Sequence, residues 1–189
     1  MLVSSLGHST STAQRFTELA RTHAIELVAD VRTVPRSRRH PHFDTDRMAV
    51  WLPEAGVGYR HLPRLGGWRR PAPDSPNGAW RNPSFRGYAD YALTDEFAAG
   101  LEELLGLAAG QRTAMMCSEA LWWRCHRRLV ADRLVVGGTD VVHIGTDGRT
   151  AAHRLTAFAV SGEDGRVRYP AQPDAGGGTR TPTVCTTRT

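Results

Sequence analysis

Short apolar runs alternate with amphipathic stretches along most of this chain. Leu2 to Leu6 reads as a first strand and gives way to the polar run GHST. Beyond it, Phe16, Leu19, Ala20 and Ala24 recur at helical spacing, with Ser11 or Thr12 as the N-cap. Leu27 to Val31 forms a second apolar run that closes in Asp30, Val31 and Arg32. The loop TVPRSRRHPHFD leads to a helix from about Thr45, with Met48, Trp51 and Leu52 on one face and Pro53 and Gly56 at its end. Tyr59 to Leu62 is a short third strand.

Residues 63 to 87 are rich in proline and glycine and predict an irregular segment longer than an ordinary connector, the kind that is functional or mobile. Tyr88, Tyr91 and Leu93 suggest a short helix. Thr94 then caps a longer one, with Asp95 and Glu96 in its first turn and Phe97, Leu101, Leu104, Leu105 and Ala108 inward. Thr113 to Met116 is a fourth strand ending in CSE. A helix from about His126 carries Leu129, Val130, Leu134 and Val135 and stops at Gly137 and Gly138, and Val141 to Ile144 is a fifth strand. Residues 151 to 170 fit either a short helix or a hairpin around SGEDG. From about Ala171 periodicity is lost, and the Gly- and Thr-rich end predicts a disordered tail.

This alternation specifies an α/β fold: one three-layer domain over residues 1 to 170, with a mainly parallel sheet of about five strands between helices. A length of 189 residues suits one such domain plus a tail. No apolar run reaches the length of a membrane span, and the first residues lack the features of a secretory signal, so we expect no membrane association and a cytoplasmic protein. The three cysteines, Cys117, Cys125 and Cys185, are expected to be reduced.

The balance of 24 basic against 19 acidic residues gives a net charge of +5, which favours DNA or another phosphate-bearing ligand. Every basic residue is arginine, because the chain contains no lysine. Schiff-base chemistry is therefore left to the N-terminal amine alone, while arginine supplies planar forks for phosphate.

The polar motifs fall where strands one to four end, and on a parallel sheet those ends share one rim. Asp30 is the first candidate for a catalytic carboxylate, either as a base or as half of a buried ion pair with Arg32 or a neighbouring arginine. Glu119 is the second, either as an acid or base or as a charge at a helix N-terminus. Cys117 is a candidate nucleophile if helix amides and arginines stabilise its thiolate, and a buried strand-end cysteine otherwise. The interval from Cys117 to Arg124 is one residue longer than the tyrosine phosphatase loop. Cys117, Cys125, His126 and His8 match no standard zinc spacing, so neither a metal nor another cofactor is expected. Arg124, Cys125, His126 and Arg127 read as an anion-binding cluster at a helix start. His8 and Ser9 are candidate polar pocket groups, Arg32 and Arg38 phosphate or base contacts, and Phe43 and Trp123 stacking surfaces.

The runs SLGHST, LVADVRTVPRSRRHPHF, YRHLPRLGG and MCSEALWWRCHRRLVADRL with VVHI, in this order, resemble the DUF488 family over about residues 2 to 144. The pattern of Cys, a small residue and Glu falls on Cys117, Ser118 and Glu119, and that of Cys-His-Arg on Cys125, His126 and Arg127. The resemblance implies an α/β fold with a parallel sheet. One branch of that family is associated with DNA glycosylases that remove 5-hydroxymethyluracil, which implies, by analogy, a DNA glycosylase; the absence of lysine predicts a monofunctional one that leaves an abasic site. In that reading Asp30 activates water, with Glu119 as second choice. The alternatives are sulfur or phosphoryl transfer by Cys117, and a nucleotide or nucleic-acid binding module without turnover.

Overall fold

The computed structural model describes residues 1–171. Its central sheet has six strands in the order β3-β2-β4-β1-β5-β6. They are β1 (Leu2–Gly7), β2 (Leu27–Asp30), β3 (Gly58–His61), β4 (Thr113–Cys117), β5 (Asp140–Ile144) and β6 (Thr150–Ala152). The first five are parallel, and β6 joins the edge antiparallel to β5. The mainly parallel α/β sheet read from the alternation is therefore present, with one more strand at its edge.

Strand residues alternate between two apolar layers, as the two-residue period of a strand requires. Val28, Ala114 and Met116 face Phe16 and Leu19 of α1 (Ala13–Thr22) and Met48 and Leu52 of α2 (Thr45–Glu54). Ala29, Met115 and Cys117 face the other layer, built by Tyr88 of α3 (Pro83–Tyr91), Phe97 and Leu104 of α4 (Asp95–Gly110) and Leu129 and Val130 of α5 (Arg127–Val136). Thr12 caps α1 by accepting from the Arg15 N–H, and Thr94 caps α4 by accepting from that of Phe97.

The helix expected around Tyr88 starts at Pro83, inside the segment read as irregular. Asn82 accepts from the N–H groups of Ser84 and Phe85, and proline at the first helical position lacks only a donor that would have no partner there. Residues 151 to 170 contain no helix: β7 (Val160–Ser161) and β8 (Val167–Arg168) form the hairpin alternative around SGEDG. The expected tail lies outside the described residues. No helix among the described residues is long and apolar enough to cross a membrane.

Candidate functional site

The loops leaving β1, β2 and β4 are tied together at the carboxyl edge of the sheet. The His8 N–H donates to the Cys117 carbonyl at 3.0 Å, that of Ser9 to Ser118 at 3.0 Å, and that of Val31 to Met116 at 2.9 Å. Gly7 permits this closeness, since a Cβ on it would stand 2.0 Å from the Glu119 carbonyl oxygen. The sequence motifs thus meet because backbone ladders run past the strand ends, one link below any side-chain chemistry.

Asp30 is fully buried and grips Arg32. Its Oδ1 accepts from the Arg32 backbone N–H at 3.1 Å and Nε at 2.8 Å, and its Oδ2 from Arg32 Nη2 at 2.6 Å and the Tyr59 hydroxyl at 2.8 Å. Each carboxylate oxygen therefore accepts twice, which exhausts the roughly four lone-pair positions of the group. Asp30 borders neither of the cavities described below. The expectation that it activates water is replaced by a positioning role, the buried ion pair that was the other reading of this residue. Arg32, so fixed, also donates to the Phe43 carbonyl at 2.7 Å and lies 3.3 Å from His8 Nε2. Burial first, and the Arg32 charge second, lower the His8 pKa to about 4. His8 is then neutral at pH 7, accepting from Arg32 on Nε2 and donating from Nδ1 to the Ser9 carbonyl at 3.0 Å.

Two adjoining cavities open on this edge. One, of about 240 Å³, is lined by His8, Arg32, Arg36, Trp68, Cys117 and His126 among others. The second, of about 250 Å³, is lined by Phe85, Tyr88, Glu119, Arg124 and Cys125, and shares Gly67, Trp68, Cys117, Ser118 and His126 with the first. Trp68 is 88% exposed, and its φ of 60° puts a bulky side chain in the left-handed region. That conformation costs on the order of 1–3 kcal/mol, and such strain gathers at functional sites. Glu119 is exposed and enters no salt bridge among the described residues, although its Oε1 receives a long contact of 3.4 Å from the Leu121 N–H. Arg36, Arg38, Arg39 and Arg124 are exposed as well, Arg38 and Arg39 on the loop that carries Arg36 to the cavity.

Beneath the shared wall, the Cys117 and Cys125 sulfurs and a ring nitrogen of His126 lie within 4.8 Å of one another. His126 Nε2 donates to the Val31 carbonyl at 2.8 Å, so Nδ1 carries the lone pair, 3.7 Å from Cys125 Sγ. Arg127 is buried and makes no salt bridge among the described residues; it donates to Cys125 Sγ at 3.4 Å, to Ser5 Oγ at 3.1 Å and to the Glu119 carbonyl. The hydrogen bond with Cys125, and then burial, push the Cys117 thiol up. The same bond, helped by Arg127 against burial, pulls Cys125 down. Cys125 is the more acidic thiol, and Cys117 holds its proton. Arg127 braces this edge from below, where it touches neither cavity, so the anion-binding group read at the helix start is divided.

The other residues singled out by sequence are scattered. Phe43 is fully buried, stacked on His8 at 4.0 Å, and offers no face to a base. Trp123, 48% exposed, lies outside both cavities, as do Ser9 and Arg38. Conversely, Gly67 and Trp68 of the Pro- and Gly-rich segment and Ser118 of the Cys117–Glu119 motif, none of them a candidate site residue by sequence, line both cavities. The LGGW run after the third strand was the available signal.

No curated protein and no solved structure matches this chain. Among family profiles, the one described as a domain of unknown function, DUF488, matches residues 12–134, well over half of the chain. With the order of its rim motifs and its parallel α/β sheet, the chain belongs to the DUF488 family.

Proposed function

We propose that this chain processes nucleic acid by hydrolysing the N-glycosidic bond of a modified pyrimidine such as 5-hydroxymethyluracil. The observation that carries the reading is Glu119, a carboxylate outside any salt bridge among the described residues, at the edge of a cavity walled by Phe85 and Tyr88 and faced by exposed Trp68. Base-removing enzymes take the base out of the stack into such a pocket. Arg36 and Arg124 at the cavities, with Arg38 and Arg39 nearby, suit the phosphates on either side. The choice of base rests on analogy with the glycosylase branch of the family.

In the reaction the bond from the sugar C1′ to the base nitrogen breaks and water adds to C1′. Glu119 takes the proton of the water and faces the positive charge that develops on the sugar, while the base leaves with its electron pair and is then protonated. No lysine is present for a Schiff base, and the Met1 amine sits at the amino end of β1, the opposite end of the strand from the site. The product is an abasic site in an uncut strand. Transfer by Cys117 as nucleophile has less support, since its thiol is pushed up and keeps its proton.

The test is incubation with duplexes containing 5-hydroxymethyluracil, uracil or mismatched thymine, then alkaline cleavage to reveal abasic sites. Product from the modified base, lost in Glu119→Gln, is the expected result. Saturable, salt-sensitive binding of every duplex with no abasic product would replace this reading with that of a binding module.

A further inference from the structure

The Cys117, Cys125 and His126 cluster has the composition and spacing of a metal centre. A tetrahedral zinc with bonds of about 2.3 Å to sulfur and about 2.0 Å to nitrogen holds such atoms about 3.5 to 3.8 Å apart. Cys125 Sγ and His126 Nδ1 stand 3.7 Å apart, and all three donor atoms fall within 4.8 Å, so small rotations of the side chains bring them into range.

The surroundings supply what a metal centre needs beyond its ligands. The Val31 carbonyl, by accepting from His126 Nε2, fixes the ring and presents the Nδ1 lone pair to the sulfurs. Arg127 Nε donates to Cys125 Sγ, a contact that offsets the negative charge of a ligating thiolate. Gly67 leaves Nδ1 uncovered on one side, where a Cβ would stand 2.9 Å away. Cys117 and His126 both border the two cavities, so a metal held by these three groups has a fourth position facing open space. A closed structural zinc site uses four protein ligands, whereas a reactive one keeps a position for water or substrate.

We propose that Cys117, Cys125 and His126 bind one zinc ion whose fourth position opens into the cavities. Two thiolates and an imidazole favour zinc over magnesium or calcium, which prefer oxygen. The site stands apart from the glycosylase reading, because binding is measured without any substrate.

The test uses the full chain, reduced, stripped with a chelator and titrated with Zn²⁺ against a competing indicator. One equivalent should bind, and Cys117→Ser, Cys125→Ser and His126→Gln should each weaken it by about 100-fold or more, beyond the roughly 10- to 100-fold that loss of an outer partner costs. Far-ultraviolet circular dichroism checks that each variant is folded. Co²⁺ added to the unaltered chain gives a readout that needs no variant: strong thiolate charge-transfer absorption with the visible bands of a tetrahedral ion. No uptake by the reduced chain, uptake equal in folded variants, or cobalt spectra without thiolate bands would each overturn the proposal.

Discussion

Helix α5 carries two buried polar clusters that invite comparison. At its start, Arg127 braces Cys125, which together with His126 borders an open cavity. Further along, Asp132 lies at the centre of a closed network: Oδ1 accepts from His153 Nε2 at 2.8 Å and the Thr156 N–H at 2.9 Å, and Oδ2 from the Tyr169 hydroxyl at 2.7 Å. His153 Nδ1 in turn accepts from His143 Nε2 at 2.9 Å, and Trp122 stacks on His143 at 3.9 Å. Both clusters contain histidine and both hold buried polar side chains. Only the first borders the two cavities, so burial of ionisable groups does not by itself mark a site. The Asp132 network joins α5, β5 and the C-terminal hairpin, and its role is to hold the fold.

That division is broken most directly at Asp132. Asp132→Ala strips partners from His153 and Tyr169 and should cost about 3–5 kcal/mol, read from urea unfolding. A loss under about 1 kcal/mol would show that the network is not a structural clamp. At the open end the effect should fall on turnover instead. Glu119→Gln should slow base release by about 100-fold or more, within the range of general acid–base catalysis, while stability stays within about 0.5 kcal/mol.

Acid should strain both regions. Burial lowers His8 to about 4 and, with His153 and Arg127 adding to it, lowers His143 to about 3, against 6.5 in the unfolded chain. The unfolded chain therefore binds protons that the fold excludes. This stabilisation is complete above pH 6.5 and declines as pH falls towards about 4 for His8 and about 3 for His143. Urea midpoints taken stepwise through that window should drop, and a flat profile would contradict neutral imidazoles. The smallest effect is expected at Trp68, where Trp68→Gly relieves the left-handed backbone and should gain about 1 kcal/mol in stability while weakening binding of the modified duplex. A simultaneous loss of stability would mean that the exposed ring is holding the loop.

The sheet was legible because its strands and helices differ in period. The rim was legible too, since parallel strands end together. What the motifs could not show was on which side of the sheet each side chain lies. Asp30 is in register with Met116, one residue before Cys117, so the carboxylate points into the α1 and α2 layer and the thiol into the α5 layer. Only the register reveals that the two leading candidates sit back to back. The convergence of Cys125 on Cys117 was equally hidden, because it depends on the short 3-10 turn at Trp122–Arg124 folding the connection back. Pro83 misled in the other direction: proline suggests irregularity until it falls at a helix start behind a capping asparagine.

Gly7 carries no side chain, yet the Glu119 carbonyl lies against its Cα and is also held by Arg127, the brace of the thiol cluster. A single added methyl would push on the acid's backbone and on the arginine beneath it at once. In a genetic screen scored for loss of function, the most informative allele on this edge would then be alanine at a position with no chemistry of its own. Intolerance to change would there report on the fit between two loops, and a map of sensitive positions would overstate the number of reacting groups.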